Sequence, residues 1–232
     1  MKKLKSAIKY FSPGELVLWG LSVVLIVASF CIFDRAGYLT LAASLIGVTS
    51  LTFNAKGNPI GQVLTIVFSL IYGYISLTFT YYGEMLTYLC MTMPMAVIAL
   101  ISWLRNPYNG NRSEVKVNRL GKHELIFMWL ATAVVTLIFY FVLAAFGTKN
   151  IIPSTISVTT SFLAVYLTFR RSPFYAIGYA ANDIVLIILW TLAAREDISY
   201  LSVIVCFVAF LANDIYGFIN WRRMEKRQAE TA

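Results

Sequence analysis

"LTFNAKGNPIGQV" at 51–63 and "LTFRRSPFYAIGYA" at 167–180 decide how this chain is organised. Both leave an apolar run through Leu-Thr-Phe, cross a short basic turn and re-enter an apolar run behind a proline. The stretches that follow have similar lengths and close on ISWLR at 101–105 and INWRR at 219–223. Shared boundaries, a shared basic turn and a shared direction mark an internal repeat, the ground plan of many membrane transporters.

The surroundings fit a membrane. Of 232 residues 59% are hydrophobic and 13% charged, with mean hydropathy +0.73, whereas soluble domains carry about 25% charged residues. Eight apolar runs stand out, at 15–33, 38–54, 59–80, 85–104, 124–146, 153–169, 174–194 and 199–221. Each is long enough, or nearly so, to span about 30 Å of hydrocarbon as a helix. The first follows MKKLKSAIKYF and is too long for a signal-peptide core, so it reads as a retained span. Pro59, Pro153 and Pro173 sit at run starts, where helices accept proline. Pro94 lies inside the fourth run and is expected to kink it.

Basic residues test the segmentation. With the N-terminus in the cytoplasm, the cytoplasmic segments hold Lys2, Lys3, Lys5, Lys9, Lys56, Arg105, Arg112, Lys116, Arg119 and Lys122. They also hold Arg170, Arg171, Arg222, Arg223, Lys226 and Arg227, leaving Arg35, Lys149 and Arg195 outside. The net charge of +8 is thus a topology signal, and no nucleic-acid motif accompanies it. The expected fold is an all-α membrane protein of eight transmembrane helices in a 1+3+1+3 arrangement. Residues 1–37 form the N-terminus and leading helix, and 38–104 the first three-helix repeat. Residues 105–152 form a basic loop and linking helix, 153–221 the second repeat, and 222–232 a cytoplasmic tail. The two repeats point the same way because one linking helix separates them.

Polar residues gather on helix faces. In the third run Gln62, Thr65, Ser69, Tyr72, Ser76 and Thr80 follow steps of three and four. In the seventh, Tyr175, Tyr179, Asn182, Asp183 and Trp190 form a stripe. In the eighth, Phe210, Asn213, Asp214, Gly217, Asn220 and Trp221 do. Such faces describe a wet path lined by aromatic rings and amides, suited to a flat heterocycle bearing hydroxyls. The tetrapeptide Ala-Asn-Asp-Ile occurs at 181–184 and again at 212–215. At 1.5 Å per residue its two copies lie roughly 15 Å and 10 Å from the basic ends of their spans. An Asp at such depth costs roughly 2.5–3.5 kcal/mol on insertion scales, which favours a functional role.

The 3+1+3 layout, "YGYISLTFTYYGE" at 72–84, Asn182 of the penultimate helix and Asn213 and Asn220 of the last resemble the Pnu family of vitamin transporters. The likeness covers about residues 38–223. It implies facilitated, uncoupled transport of nicotinamide riboside, bound between the three-helix units and trapped inside by a cytoplasmic kinase. Relatives carrying thiamine, riboflavin or deoxynucleosides are the alternative. The implied substrate-binding set is Asn182, Asp183, Asn213, Asp214, Asn220, Tyr179, Gln62, Tyr72 and Trp190. The W-x-x-W spacing ahead of the penultimate-helix Asn in many such transporters is missing. "FYAIGYAAN" puts Tyr175 and Gly178 at the nearest positions. The resemblance also implies a multi-pass protein of the bacterial inner membrane, both termini cytoplasmic. Its partners are the lipid bilayer and a small-molecule vitamin or nucleoside, and a homo-oligomer is compatible with this.

Other chemistry has little support. Asp183 and Asp214 could serve an intramembrane aspartyl protease, but the GxGD motif is absent. No phosphate-binding G-x-x-x-x-G-K-[ST] occurs. The single His123 sits in the basic "RLGKHE" turn, and Cys31, Cys90 and Cys206, in three separate runs, read as buried apolar thiols. No enzyme activity, cofactor or metal site is expected. Coupling to an ion gradient through either Asp is the mechanistic rival.

Overall fold

The computed structural model describes residues 10–78, 82–148 and 150–231. Thr80, Lys149 and the lysines of the first nine residues lie outside this range. Eight helices are long and apolar enough to cross a membrane. They are α1 (Pro13–Phe33), α2 (Tyr38–Ala55), α3 (Ile60–Thr78), α4 (Tyr82–Arg105), α5 (Lys122–Ala145), α6 (Ile151–Phe169), α7 (Tyr175–Ala193) and α8 (Leu201–Glu230). A 3-10 turn at Ile198–Tyr200 leads into α8.

Local chemistry sets the ends. Ser12 and Glu15 form a reciprocal cap on α1, the Glu15 amide donating to Ser12 Oγ and the Ser12 amide to Glu15 Oε2. α2 and α6 stop alike. Gly57 (φ 64°) and Arg171 (φ 57°) both take the left-handed conformation. The amides of Asn58 and Ser172 then reach back to Phe53 O and Leu167 O, each at 3.0 Å. Asn58 Oδ1 and Ser172 Oγ also accept from the amides two residues on, Ile60 and Phe174. These matching turns pair Gly57 with Arg171 and Pro59 with Pro173. The two Leu-Thr-Phe tripeptides are therefore two residues out of step in space, although they reveal the repeat in sequence.

Within each unit the middle helix touches both its neighbours: α3 packs on α2 and α4, and α7 on α6 and α8. Across the units, α4 packs on α6 and α8 on α2. The third helix of each half thus leans on the first helix of the other. This packing fits the 1+3+1+3 arrangement. α1 rests on α2 and α8, and α5 on α6. Only 17% of α1 and 11% of α5 is buried, against 44% in α2, α3, α6, α7 and α8, so the packed core lies among the repeat helices. Such helices associate by close packing and interhelical hydrogen bonds, because lipid supplies little hydrophobic drive.

Two expectations need correction, and the basic loop adds a hairpin not described from the sequence. Cys31 and Cys90 are exposed on the outer wall of the bundle and only Cys206 is buried; apolar runs hide a thiol in lipid as readily as in protein. α8 does not end at 221 but runs to Glu230, because the polar tail has its own partners. The basic loop is likewise not featureless. Pro107–Tyr108 and Asn111–Val115 pair as antiparallel strands, with Val115 fully buried. The Gln228 side chain bonds Val117 N and Val115 O, docking this hairpin on the α8 tail. Pro94 has no amide hydrogen for the carbonyl of Cys90. The helix absorbs this in a π-helical stretch, Thr87–Thr92, where the Met93 amide bonds Tyr88 O.

Candidate functional site between the two repeats

The basic end of the bundle is closed by a reciprocal pair of tryptophans. Trp103, ending α4, donates its indole N–H to Thr168 O of α6 at 2.9 Å, and Trp221 of α8 donates to Asn54 O of α2 at 2.8 Å. Their preceding residues repeat the pattern: Ser102 Oγ bonds Phe169 O and Asn220 Nδ2 bonds Ala55 O. In the register fixed by the caps, Thr168 matches Asn54 and Phe169 matches Ala55, so the contacts are related by the pseudo-two-fold. The rings meet at 5.5 Å, and Tyr175 packs edge-on to Trp221 at 5.0 Å. All three side chains are fully buried. In the sequence ISWLR and INWRR mark boundaries, and Asn220 and Trp221 of INWRR fall on a polar face, but the reciprocal closure they make was missed.

Above this plug lie the acids. Asp183 of α7 and Asp214 of α8 are buried, and their carboxyl groups are within hydrogen-bonding reach of each other. Tyr179 stands beside both. Among the described residues no hydrogen bond reaches Asp183 Oδ2, Ser69 Oγ and Ser76 Oγ on α3, or Glu84 Oε2 on α4. Ser69 and Asp183 hold equivalent places in the two repeats on the register of the caps. Buried polar atoms are seldom left unpaired. Here they gather between the halves, where a polar ligand would satisfy them.

At the opposite end, a cavity of about 320 Å³ opens between the halves, with Tyr72 and Trp190 on its wall beside Thr40, Ser199 and Tyr200. Tyr72 packs against Tyr88 with ring centroids 4.6 Å apart, and against Phe68 and Phe207. A volume of this size falls in the range of small-molecule sites. A larger cleft of about 800 Å³ opens sideways between α5 and the second repeat, past Trp129 and Ile177; none of the sequence-selected residues lines it.

The nine selected residues divide accordingly. Tyr72, Trp190, Tyr179, Asp183 and Asp214 come together between the repeats. Asn182 lies beside them, but its Oδ1 accepts hydroxyls from Ser157, Thr160 and Ser161 of α6 at 3.0–3.1 Å, which leaves its amide nitrogen for other contacts. Gln62 donates to Asn54 Oδ1 at 2.8 Å, inside the first repeat. Asn213 donates to Ser22 Oγ of the leading helix at 2.9 Å, and Asn220 serves the tryptophan plug. The single polar face read on α8 is really two faces, one turned to α1 and α2 and one to the path. Glu84 and Tyr88 were not selected. Glu84 had been quoted only as the last letter of a motif, because the fourth run was read as starting at 85, whereas the helix starts at Tyr82.

Gly178 explains the missing W-x-x-W. A Cβ at this position would lie 2.8 Å from the Ala164 Cα of α6. Backbone therefore fills the space that a tryptophan ring would need.

The arrangement of a two-repeat bundle, plugged at one end and hollow at the other, can be set beside known proteins. The sequence model described as Nicotinamide mononucleotide transporter matches residues 37–223. The chain belongs to this transporter family. It is 26% identical over 217 residues to the nicotinamide riboside transporter PnuC of Neisseria mucosa, covering 91% of this chain and 82% of that one. It is 26% identical over 195 residues to the nicotinamide riboside transporter PnuC of Haemophilus influenzae, covering 82% and 81%. The crystal structure of the vitamin B3 transporter PnuC superposes with a TM-score of 0.81, at 24% identity and 94% coverage of both chains. The chain is thus a multi-pass membrane protein with the PnuC fold. The family is non-enzymatic, so Asp183 and Asp214 are not a proteolytic dyad, adjacent though they are.

Proposed function

We propose that this protein is an uncoupled facilitator for nicotinamide riboside, carried as the cationic nucleoside and not as its phosphate. The family description names the mononucleotide and the curated relatives name the riboside. The charge of the interior supports the riboside. No Lys, Arg or His occurs within the eight apolar runs apart from their basic ends. Of the acids in the spans, Glu15 pairs with Lys56 and Glu124 with Arg170. Glu84, Asp183 and Asp214 have no ion-pair partner among the described residues. A phosphate passing three carboxyls with no cation to receive it would be strongly disfavoured. A quaternary pyridinium would be welcome, and its ribose hydroxyls can bond Ser69, Tyr72 and Asp183.

The Lys/Arg asymmetry supports placing the basic end in the cytoplasm of a bacterial inner membrane. The hollow end then faces outward and the tryptophan plug faces inward. Rocking of one three-helix unit against the other would part Trp103 from Trp221, with the π-helical stretch before Pro94 as hinge. The released nucleoside would be trapped by a cytoplasmic kinase, its product being the anion that the path refuses.

Titration calorimetry of the purified protein with nicotinamide riboside, its 5′-phosphate, thiamine, riboflavin and a deoxynucleoside tests the proposal. Saturable heat with the riboside and none with the phosphate is expected. Binding of the phosphate as tightly as the riboside would reject the charge argument; binding only of another vitamin would reassign the substrate.

A further inference from the structure

We propose that Glu84 selects for the positive charge of the substrate ring, holding a cationic nucleoside against the faces of Tyr72 and Tyr88. This rests on the nucleoside reading above and goes beyond it by assigning charge selection to one residue.

Glu84 is the third residue of α4, at the hollow end of the bundle. It is 4% exposed, and its Oε2 bonds nothing. The preceding Gly83 lets the helix start lie tight against α5, since a Cβ there would sit 2.9 Å from Leu143 Cδ2; this close approach helps seat the next side chain inside. On one side Glu84 borders a small void of about 30 Å³, with Asn150 and Thr148 on its wall. On the other side Tyr88 lies about one helical turn further along α4, and Tyr72 packs on it with ring centroids 4.6 Å apart.

Among the described residues no ion pair involves Glu84. Maintaining such a group in an apolar wall is costly, and a transported cation would offset the cost only while bound. The tyrosine rings in front of it add their own attraction for a cation lying within about 6 Å of a ring centre. Tyr72 also lines the 320 Å³ cavity, which gives the ligand access to this pair of rings. A neutral ring of the same shape would gain the stacking but not the charge term.

Reduced nicotinamide riboside has nearly the same shape and an uncharged dihydropyridine ring, so the ratio of its affinity to that of the oxidised cation isolates charge recognition. Wild type is expected to prefer the cation. Glu84→Gln should weaken the cation by about tenfold or more and the reduced form by less than about threefold. Glu84→Asp, which withdraws the carboxyl by one methylene, should lower the preference partway, and it decides the matter if the glutamine variant does not fold. Equal weakening of both ligands, or an unchanged ratio in the folded variants, overturns the role of Glu84. Equal binding of both ligands by wild type also overturns it while leaving the substrate reading intact. If wild type binds neither ligand, the substrate reading itself fails and this inference falls with it.

Discussion

Trp103 and Trp221 meet at 5.5 Å across the boundary between the repeats, and each indole is bonded to the last turn of the opposite half's first helix. The contact is self-consistent in the way a pseudo-symmetric closure must be: neither half can turn away without breaking a buried bond in both. Substrate leaving by this end has to part them.

Trp221→Phe keeps an aromatic plug but removes the bond to Asn54 O. Asn54 O keeps its bond from the Gly57 amide, so the loss is that of one net hydrogen bond, about 0.5–1.5 kcal/mol, and it falls on the closed state. Gly217 lies just behind the plug, and a Cβ there meets Tyr175 OH at an ordinary 3.5 Å. A cysteine introduced at 217, with the native cysteines removed, should react with a thiol reagent applied from the basic side. Its rate should rise about twofold to tenfold in the Trp221→Phe background. An unchanged rate would show that the tryptophans do not close the path.

Asn182 gives a test of structure against binding. Its oxygen gathers three α6 hydroxyls, so Asn182→Leu should lower stability by about 1–3 kcal/mol as well as affinity. Asn182→Asp retains an acceptor but exchanges the amide for an ionisable carboxyl beside the buried Asp183. Kept neutral at low pH, it should melt closer to wild type than Asn182→Leu and bind the nucleoside at least about tenfold more weakly if the amide nitrogen contacts ligand. Wild-type affinity in this variant would confine Asn182 to packing.

Glu15 anchors the leading helix, with Lys56 Nζ at 3.0 and 3.2 Å, Tyr216 OH at 2.9 Å and the Ser12 amide at 2.6 Å. Glu15→Gln breaks the ion pair to α2 and should cost about 1–3 kcal/mol in melting experiments. Ligand affinity should hold, because α1 lies outside the ring of six helices. A loss of affinity without a loss of stability would bring the leading helix into the transport path.

Uptake into liposomes separates a facilitator from a coupled carrier. With a nucleoside gradient alone, collapse of the proton gradient by an uncoupler, or removal of sodium, should leave the initial rate unchanged within about twofold. Dependence on either gradient would point to the Asp183–Asp214 pair as a coupling site.

Much of this fold is legible without coordinates, and the errors follow a pattern. Span lengths, proline positions and the Lys/Arg bias are properties of the chain read along one dimension. They located all eight helices, and six of the eight apolar runs end within three residues of their helices. The exceptions are the last helix, whose polar tail docks on a hairpin that no hydrophobic period announces, and the end of the third, which lies outside the described residues. The Leu-Thr-Phe echo pointed to the right repeat in a register two residues off. Turn geometry, with Arg171 taking the left-handed place of Gly57, is what aligns the halves. Periodicity put Asn213, Asp214 and Asn220 on one face because they are close in angle. It could not say that α1 and α2 border one edge of that face and the path the other.

The sequence by itself determined an eight-span membrane protein with a basic end, and the helix packing fits the two repeats read from it. Hydrophobic length and charge bias act locally and leave their mark residue by residue. Tertiary structure alone decided which polar groups are already satisfied. Gln62, Asn213 and Asn220 find protein partners on other helices, whereas Asp183, Ser69 and Glu84 each keep an atom with none among the described residues. A hydrogen bond is made by two groups that the chain brings together from far apart, so its presence or absence is not written at either position alone.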